Sequence, residues 1–146
     1  MTELSISVGA LVRFCHRSGD IDQRFKAAPT GAQGVAGHQR VYARRAASYR
    51  REYAVEYQHV EPGLQLTLRG RADGYDPVQG MVEEIKTCRT APDSIPEPVA
   101  QMHMAQGRLY AAITGCRHSR ARGSNGMPVF SRWNFRMEDF AAGSGR

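Results

Sequence analysis

Residues 64–76 read LQLTLRGRADGYD and residues 81–87 read MVEEIKT, and these two stretches decide the fold. In the first stretch, Leu64, Leu66 and Leu68 alternate with polar residues, which is the pattern of a β-strand with one buried face. The proline and glycine between the two stretches supply turn chemistry, and the second stretch reads as a short strand. Together they predict two antiparallel strands joined by a tight connection.

A further strand precedes these two. Tyr53, Val55 and Tyr57 alternate with less apolar residues, and the sequence EPG at residues 61–63 is a turn signal. Strand, turn, strand, turn, strand is the order of an antiparallel meander. We therefore predict a three-stranded meander.

Helix signals flank the three strands. Ser7 is an N-cap candidate for a first helix, and residues 30–33 fit a capping box for a second helix that runs to about Tyr49. Pro98 suits the first turn of a third helix, which runs to about residue 113. The predicted fold class is α/β in the broad sense, more strictly α+β, with the meander flanked by helices.

Composition bounds the class of protein. The chain has 146 residues, of which 41% are hydrophobic and 23% are charged, as in one soluble globular domain. No apolar run approaches the ~20 residues of a membrane span, and the first residues lack the pattern of a signal peptide. Three widely spaced cysteines indicate neither disulfides nor a zinc site. We expect a cytoplasmic protein with no membrane partner.

The net charge gives a weak indication of a nucleic-acid partner. The formal charge is +6, and arginine supplies most of the positive charge. Arginine binds phosphate oxygens well, but a merely basic surface explains the composition equally well. The positive charge is distributed unevenly: the net charge is +2 over residues 1–116 and +4 over residues 117–146. Neither lysine, Lys26 or Lys86, follows a glycine, so there is no GK[ST] phosphate loop and we expect no nucleotide cofactor.

Glu84 and Lys86 carry the first chemical signal. Residues two apart on a strand project from the same face, so a carboxylate and an ammonium group point together off the sheet. The hairpin brings Asp73 beside Glu84, and two neighbouring carboxylates repel each other unless a cation lies between them. A hard divalent ion such as Mg²⁺ suits this pair. The alternative is a surface salt bridge on a solvated strand.

Two helices add polar side chains to this arrangement. His38 on the second helix is a candidate nitrogen ligand of the metal, or else a buried histidine that caps a neighbouring carbonyl. On the third helix, His103, Gln106 and Tyr110 follow at i, i+3 and i+7, which predicts one stripe distinct from the apolar one. That stripe could hold nucleic acid, or it could be the wet face of an ordinary amphipathic helix.

Four short motifs occur in order: GxxxH at residues 34–38, GRAD at 70–73, EIK at 84–86 and QxxxY at 106–110. In this order and spacing, the chain resembles the RecB-like branch of the PD-(D/E)XK nucleases. The sequence around these motifs, over roughly residues 6–114, is similar to that of the N-terminal nuclease-like domain of bacterial DinG-like or XPD-like DNA helicases.

The resemblance implies a restriction-endonuclease-like core and hydrolysis of DNA phosphodiester bonds with Mg²⁺ or Mn²⁺. Asp73 and Glu84 would be metal ligands with catalytic roles. The Ile85 carbonyl and His38 would complete the metal site, and Lys86 would be catalytic. The expected DNA contacts are Gln106, Tyr110 and His103 on the third helix, and Arg44 and Arg45 on the second.

We place the nuclease-like domain at residues 1–115. Residues 116–146 read as a basic tail in which residues 127–135 could form a last strand and the rest is irregular. Family members with an iron–sulfur cluster carry four cysteines, whereas only Cys15 and Cys116 lie near the corresponding places here, so we expect no cluster.

The tail does not resemble the helicase motor that follows this domain in the family. The chain could be the nuclease module or a fragment of a larger helicase-nuclease in DNA repair or recombination, with a helicase motor in cis or in trans. It could also be a DNA-binding module of the same fold without catalysis, or an inactive truncated fragment whose sheet edge is exposed.

Overall fold

The computed structural model describes residues 1–16, 31–87 and 96–116, together with the backbone of residues 118–123. These residues form five strands and three helices. The bounds are β1 Thr2–Ser7, α1 Val8–Cys15, α2 Gly31–Tyr42, β2 Arg50–Glu61, β3 Leu64–Asp76, β4 Met81–Lys86, α3 Glu97–Thr114 and β5 His118–Gly123.

Strand β3 is the centre of one mixed sheet. Along one edge it pairs antiparallel with β2. Two strands share its other edge: β1 runs parallel to the first part, with Thr2 opposite Leu64, and β4 runs antiparallel to the last part, with Gly74 opposite Glu83. Strand β5 then joins β4 in parallel register. The long strand β3 thus connects both halves of the sheet.

The α+β class and the antiparallel meander β2–β3–β4 are as predicted, and the sheet is mixed because β1 and β5 join it as parallel strands. The sequence analysis missed β1, although Leu4 and Ile6 alternate there with polar residues. The expectation that residues 116–146 are irregular apart from a last strand is corrected by β5, which pairs backbone groups that β4 would otherwise leave open. The predicted strand 127–135 lies outside the described residues.

Helices α1 and α3 begin at the predicted signals. The Ser7 hydroxyl accepts a hydrogen bond from the backbone N–H of Ala10 at 3.0 Å, which caps α1. Helix α3 has Pro98 in its first turn and ends at Gly115, whose φ of 68° is the left-handed conformation that glycine adopts readily. No helix in the described part of the chain is long and apolar enough to cross a membrane.

Helix α2 is shorter than predicted, because it ends at Tyr42 rather than near Tyr49. After its end the backbone N–H of Arg45 bonds to the Tyr42 carbonyl in a turn. The chain then reverses to enter β2, and the Tyr49 hydroxyl donates to the Glu83 carboxylate on β4. A tertiary contact therefore overrides a helical sequence pattern.

Apolar clusters pack on both faces of the sheet. Val82 belongs to a cluster with α1 and α3, whereas its neighbour Met81 belongs to a cluster with α2. Since successive residues of a strand point to opposite faces, β4 is buried on both sides. The first cluster comprises Val8, Val12, Val55, Ala72, Val82, Tyr110, Ala111 and Cys116, and the second Val41, Tyr42, Tyr49, Met81 and Ile85.

The side-chain alternation of β3 changes phase at Asp73. Ala72 packs in the first cluster, whereas Gly74 faces the Tyr49 ring of the second. Residues two apart on a regular strand share a face, so the alternation is interrupted between them. Across from Asp73 on β2, Glu52 has a φ of 47°, and no other non-glycine residue in the described part of the chain has a positive φ. Asp73 thus lies where the two phases of the strand meet.

The contact between Gly74 and Tyr49 predicts the effect of a substitution. In Gly74→Ala the new β-carbon would overlap the Tyr49 ring, so we expect the free energy of unfolding to fall by about 3 kcal/mol in urea denaturation. Gly34→Ala is the control, because a β-carbon there meets nothing within 4 Å and a helix interior favours alanine. Equal stability of the two variants would contradict the packing.

Candidate functional site

The hairpin of β3 and β4 brings the predicted acidic residues together. The Asp73 carboxylate oxygen Oδ2 accepts a hydrogen bond from the backbone N–H of Ile85 at 2.6 Å. This bond lies just beyond the Gly74–Glu83 pair, so the Asp73 side chain continues the contact with β4 where the backbone pairing stops. Asp73 therefore lies beside the segment that carries Glu84 and Lys86, as the hairpin predicts.

Glu84 is a buried carboxylate that is only half satisfied. The residue is 3% exposed, and its Oε1 lies 2.7 Å from the Lys86 ammonium nitrogen. Its Oε2 is buried and has no hydrogen-bond partner in the described part of the chain. Burial, followed by the negative charge of Asp73, raises the pKa of Glu84 to about 7, against the opposing effect of Lys86. Since a buried polar atom without a partner costs free energy, Oε2 is an open acceptor for a cation or a donor.

Like that of Glu84, the carboxyl group of Asp73 has a raised pKa. Burial is the largest cause that raises the pKa of Asp73, and the charge of Glu83 adds to it. The Ile85 N–H, His38 and Lys86 act in the opposite direction. Both carboxyl groups therefore favour a proton or a nearby positive charge more than an exposed carboxyl group does.

His38 approaches the same segment from α2. Its Nε2 lies 3.1 Å from the Ile85 carbonyl oxygen, and its Nδ1 lies 3.8 Å from Asp73 Oδ1. The contact with the carbonyl is the capping role that was the alternative to a metal ligand. The imidazole and the carbonyl are also the two further ligands that the family resemblance implies, and both lie beside Asp73.

The described part of the chain contains no group of three or more His, Cys, Asp or Glu side chains close enough to hold a metal ion. In this arrangement Lys86 supplies the positive charge next to Glu84. The unpartnered Glu84 Oε2, the Asp73 carboxylate and the Ile85 carbonyl still offer the oxygen donors that hard divalent ions prefer, with one imidazole from His38. The donor chemistry therefore fits Mg²⁺ or Mn²⁺.

Tyr42 holds the backbone of Asp73 in place. The Tyr42 hydroxyl donates a hydrogen bond to the Asp73 carbonyl at 2.9 Å. Burial and the nearby charge of Asp73 raise the pKa of Tyr42 to about 12, so the hydroxyl keeps its proton at neutral pH. Glu52, which lies across from Asp73, forms no pair with it in the register of β2 and β3. The sequence analysis did not predict the hydrogen bond between Tyr42 and Asp73, because this bond depends on the interruption of both strands.

Arg45 forms a largely buried ion pair with Glu83, and its contact with DNA stays a prediction. Its Nε and Nη2 donate to the two carboxylate oxygens of Glu83 at 2.9 and 2.7 Å. The Tyr49 hydroxyl donates to the same carboxylate at 2.9 Å. Glu83 is completely buried, so it needs this partner. Arg44 is exposed, and its contact with DNA stays a prediction.

The polar stripe predicted on α3 is not separate from the apolar one. Tyr110 is 3% exposed and packs in the first cluster, where a β-carbon at Gly70 would contact its ring at 2.7 Å. Gln106 bonds to the Tyr110 hydroxyl. Burial and the charge of Lys86 lower the pKa of His103 to about 4, so His103 is neutral at pH 7. Tyr110 is thus a core residue, and DNA contacts of Gln106 and His103 stay predictions.

The fold is similar to that of a solved structure, the crystal structure of SSO0001. The TM-score is 0.66 at 18% sequence identity, and the match covers 90% of this chain and 67% of that chain. At this identity the likeness concerns the fold alone, and it supports the α+β class. No protein-family model and no curated protein matches the chain.

The raised pKa of Glu84 predicts a pH dependence of stability. Its folded-state pKa of about 7 lies above the value of ~4.3 in an unfolded chain, so between these pH values the folded protein binds the proton more tightly. The free energy of unfolding should therefore fall as pH rises from 4 to 7, by on the order of 3 kcal/mol.

The measurement is urea denaturation at several pH values in the presence of EDTA. Glu84→Gln keeps the shape of the side chain and cannot titrate, so most of this fall should disappear, with a remainder from Asp73. Identical pH dependence in the parent and Glu84→Gln would show that Glu84 is ionised in its ordinary range.

Proposed function

We propose that this chain is a metal-dependent DNA nuclease that hydrolyses phosphodiester bonds with Mg²⁺ or Mn²⁺. The observation that carries the proposal is Glu84, a buried carboxylate that is paired with Lys86 on one oxygen and has no partner for the other among the described residues. It lies beside the half-buried carboxylate of Asp73. A structural ion pair satisfies both carboxylate oxygens, as Arg45 does for Glu83. Glu84 differs, which supports a role in binding and catalysis.

Four groups would hold the metal ion: the carboxylates of Asp73 and Glu84, the Ile85 carbonyl and the His38 imidazole. When bound, the ion would polarise the scissile phosphate and lower the pKa of a water molecule. The protein holds the ligands in place before any ion arrives, because the Ile85 N–H restrains the Asp73 side chain and Tyr42 restrains its backbone. Such preorganisation is the contribution that a fold makes to catalysis.

Lys86 is the proposed catalytic cation. Its side chain is 36% exposed, while its ammonium group is held 2.7 Å from the buried Glu84. The group can therefore reach a phosphate oxygen from a defined position, orient the attacking water or neutralise the charge that develops on the phosphate. Arginine should be a poor replacement, since its planar head cannot occupy the same point.

The wider setting is part of the proposal. The resemblance to helicase-associated nuclease domains favours a cytoplasmic nuclease module, or a fragment of a larger helicase-nuclease, that acts on DNA in repair or recombination. A helicase motor in cis or in trans is the proposed partner.

A cleavage assay on linear single- and double-stranded DNA with Mg²⁺ or Mn²⁺ tests the activity. We expect Asp73→Asn, Glu84→Gln and Lys86→Ala to lower kcat by about 100-fold or more, and Lys86→Arg not to restore it. Glu56→Gln is the matched control, since Glu56 forms an exposed ion pair with Arg69 outside the site.

Two results would overturn the proposal in different ways. If the site variants cut as fast as the parent, the site is assigned to the wrong residues. If the parent binds DNA but does not cut it with either metal, the chain is a binding module of the same fold. A circular dichroism spectrum and thermal melt of each variant separate both results from failure to fold.

Metal binding is expected to stabilise the folded chain independently of cleavage. An ion that binds only the folded state raises the free energy of unfolding by about 3 kcal/mol at ~100 times its Kd, so millimolar Mg²⁺ or Mn²⁺ should raise the Tm. Asp73→Asn and Glu84→Gln should lose this rise, and Glu56→Gln should keep it. An equal rise in all four proteins would indicate that the ions bind elsewhere.

A further inference from the structure

Arg51 lies next to the candidate site although no sequence motif marks it. Its guanidinium carbon lies 5.0 Å from the centre of the Tyr42 ring. Tyr42 is 5% exposed, and its hydroxyl donates to the Asp73 carbonyl at 2.9 Å. One rigid, buried side chain therefore connects Arg51 to the proposed metal ligand Asp73.

The interruption of β2 determines which way Arg51 faces. Arg51 pairs with Gly74, which faces the second cluster, whereas Tyr53 pairs with Ala72 in the first cluster. In a regular strand Arg51 and Tyr53 would share a face. The positive φ of Glu52 between them thus turns Arg51 to the side of the sheet on which Tyr42 lies.

No acidic side chain in the described part of the chain neutralises the charge of Arg51. Arg45, Arg69 and Arg71 each have an acidic side chain within ion-pair distance, but Arg51 has none among the described residues. Arg51 is exposed, whereas the ring beneath it is buried. A guanidinium group stacked on an aromatic ring keeps its N–H donors directed to the side, where they can bind a phosphate in a fork.

We propose that Arg51 binds a phosphate of the nucleic-acid backbone adjacent to the one that is hydrolysed. This inference rests on the proposed nuclease function and adds a substrate-binding residue to it. Arg51 adds to the arginines that the sequence analysis expected to contact DNA, and unlike Arg45 it has no acidic partner among the described residues. The contact uses the exposed guanidinium group that lies over the buried Tyr42 ring.

Binding of a fluorescent single-stranded oligonucleotide, measured without divalent ions at several NaCl concentrations, tests the contact. Loss of one phosphate contact should weaken binding about tenfold and lower the slope of log K against log salt by about one. We expect both changes in Arg51→Ala. Arg51→Lys should keep the slope but lose part of the affinity, because lysine retains the charge and lacks the planar fork.

Arg50→Ala is the matched control. Arg50 is the preceding residue on β2, is exposed and carries the same charge, but it pairs with Tyr75 and so faces the other side of the sheet. Its removal should leave the affinity within about twofold of the parent and the salt slope unchanged. In the cleavage assay, Arg51→Ala should raise KM with kcat largely retained, since the contact exists before and during hydrolysis.

The outcomes separate this inference from the proposed function. If Arg51→Ala and Arg50→Ala bind equally well, or if both lower the slope alike, Arg51 is not a specific phosphate contact and the inference is wrong, even where the parent cuts DNA. A second result is that the parent protein fails to cut DNA while Arg51→Ala, unlike Arg50→Ala, binds DNA more weakly and with a lower salt slope. In that case the phosphate contact of Arg51 is supported and the nuclease function is wrong.

Discussion

Two adjacent glutamates, Glu83 and Glu84, are buried on opposite sides of strand β4, and much of the surrounding structure accommodates their charge. Burying an ionised carboxylate costs several kcal/mol unless it is paired and hydrogen-bonded. Both residues are 3% exposed or less, and both lie in a strand that is otherwise largely apolar. Because residues next to each other on a strand face opposite ways, one partner cannot serve both charges.

The two carboxylates are stabilised differently, and the difference supports the role proposed for Glu84. Glu83 receives two hydrogen bonds from Arg45 and one from Tyr49, which ties the turn after α2 to β4. Among the described residues, Glu84 has Lys86 as its one partner, on one oxygen, and its pKa rises to about 7. Polar groups that a fold leaves unsatisfied are typical of sites that bind something, because binding supplies the missing partner.

The position of Asp73 has a second cause, the paired irregularity of β2 and β3. Glu52 adopts a positive φ that most side chains avoid, and strain of this kind persists only where the surrounding structure enforces it. The irregularity frees the Asp73 carbonyl for Tyr42, leaves its carboxylate for the Ile85 N–H and turns Arg51 toward Tyr42. Interruptions of β-ladders next to active sites commonly redirect side chains in this way.

Local pattern was sufficient to predict the three-stranded meander, the starts of α1 and α3, and the proximity of Asp73 to Glu84. These features depend on residues that are near in sequence: the period-two alternation, the turn at 61–63 and the cap at Ser7. His38 lies beside the Ile85 carbonyl and Asp73, and its role as a metal ligand stays a prediction. The same reasoning failed for α2, because the helical pattern continues to Tyr49. It also failed for Tyr110, which the spacing placed on a polar stripe separate from the apolar one.

Only the tertiary structure decided which arginine meets which acid, and which face each residue of β2 and β3 occupies. Arg45 and Arg51 look equivalent in the sequence, since both are basic residues near the end of the second helix pattern. Their roles differ because Glu83 lies 38 residues from Arg45 in the chain and because one backbone angle at Glu52 reverses the side-chain phase. The parallel strands β1 and β5 escape prediction for the same reason, as their partners are distant in sequence. Periodicity determines which residues can share a face of one element, whereas packing between elements determines what that face meets.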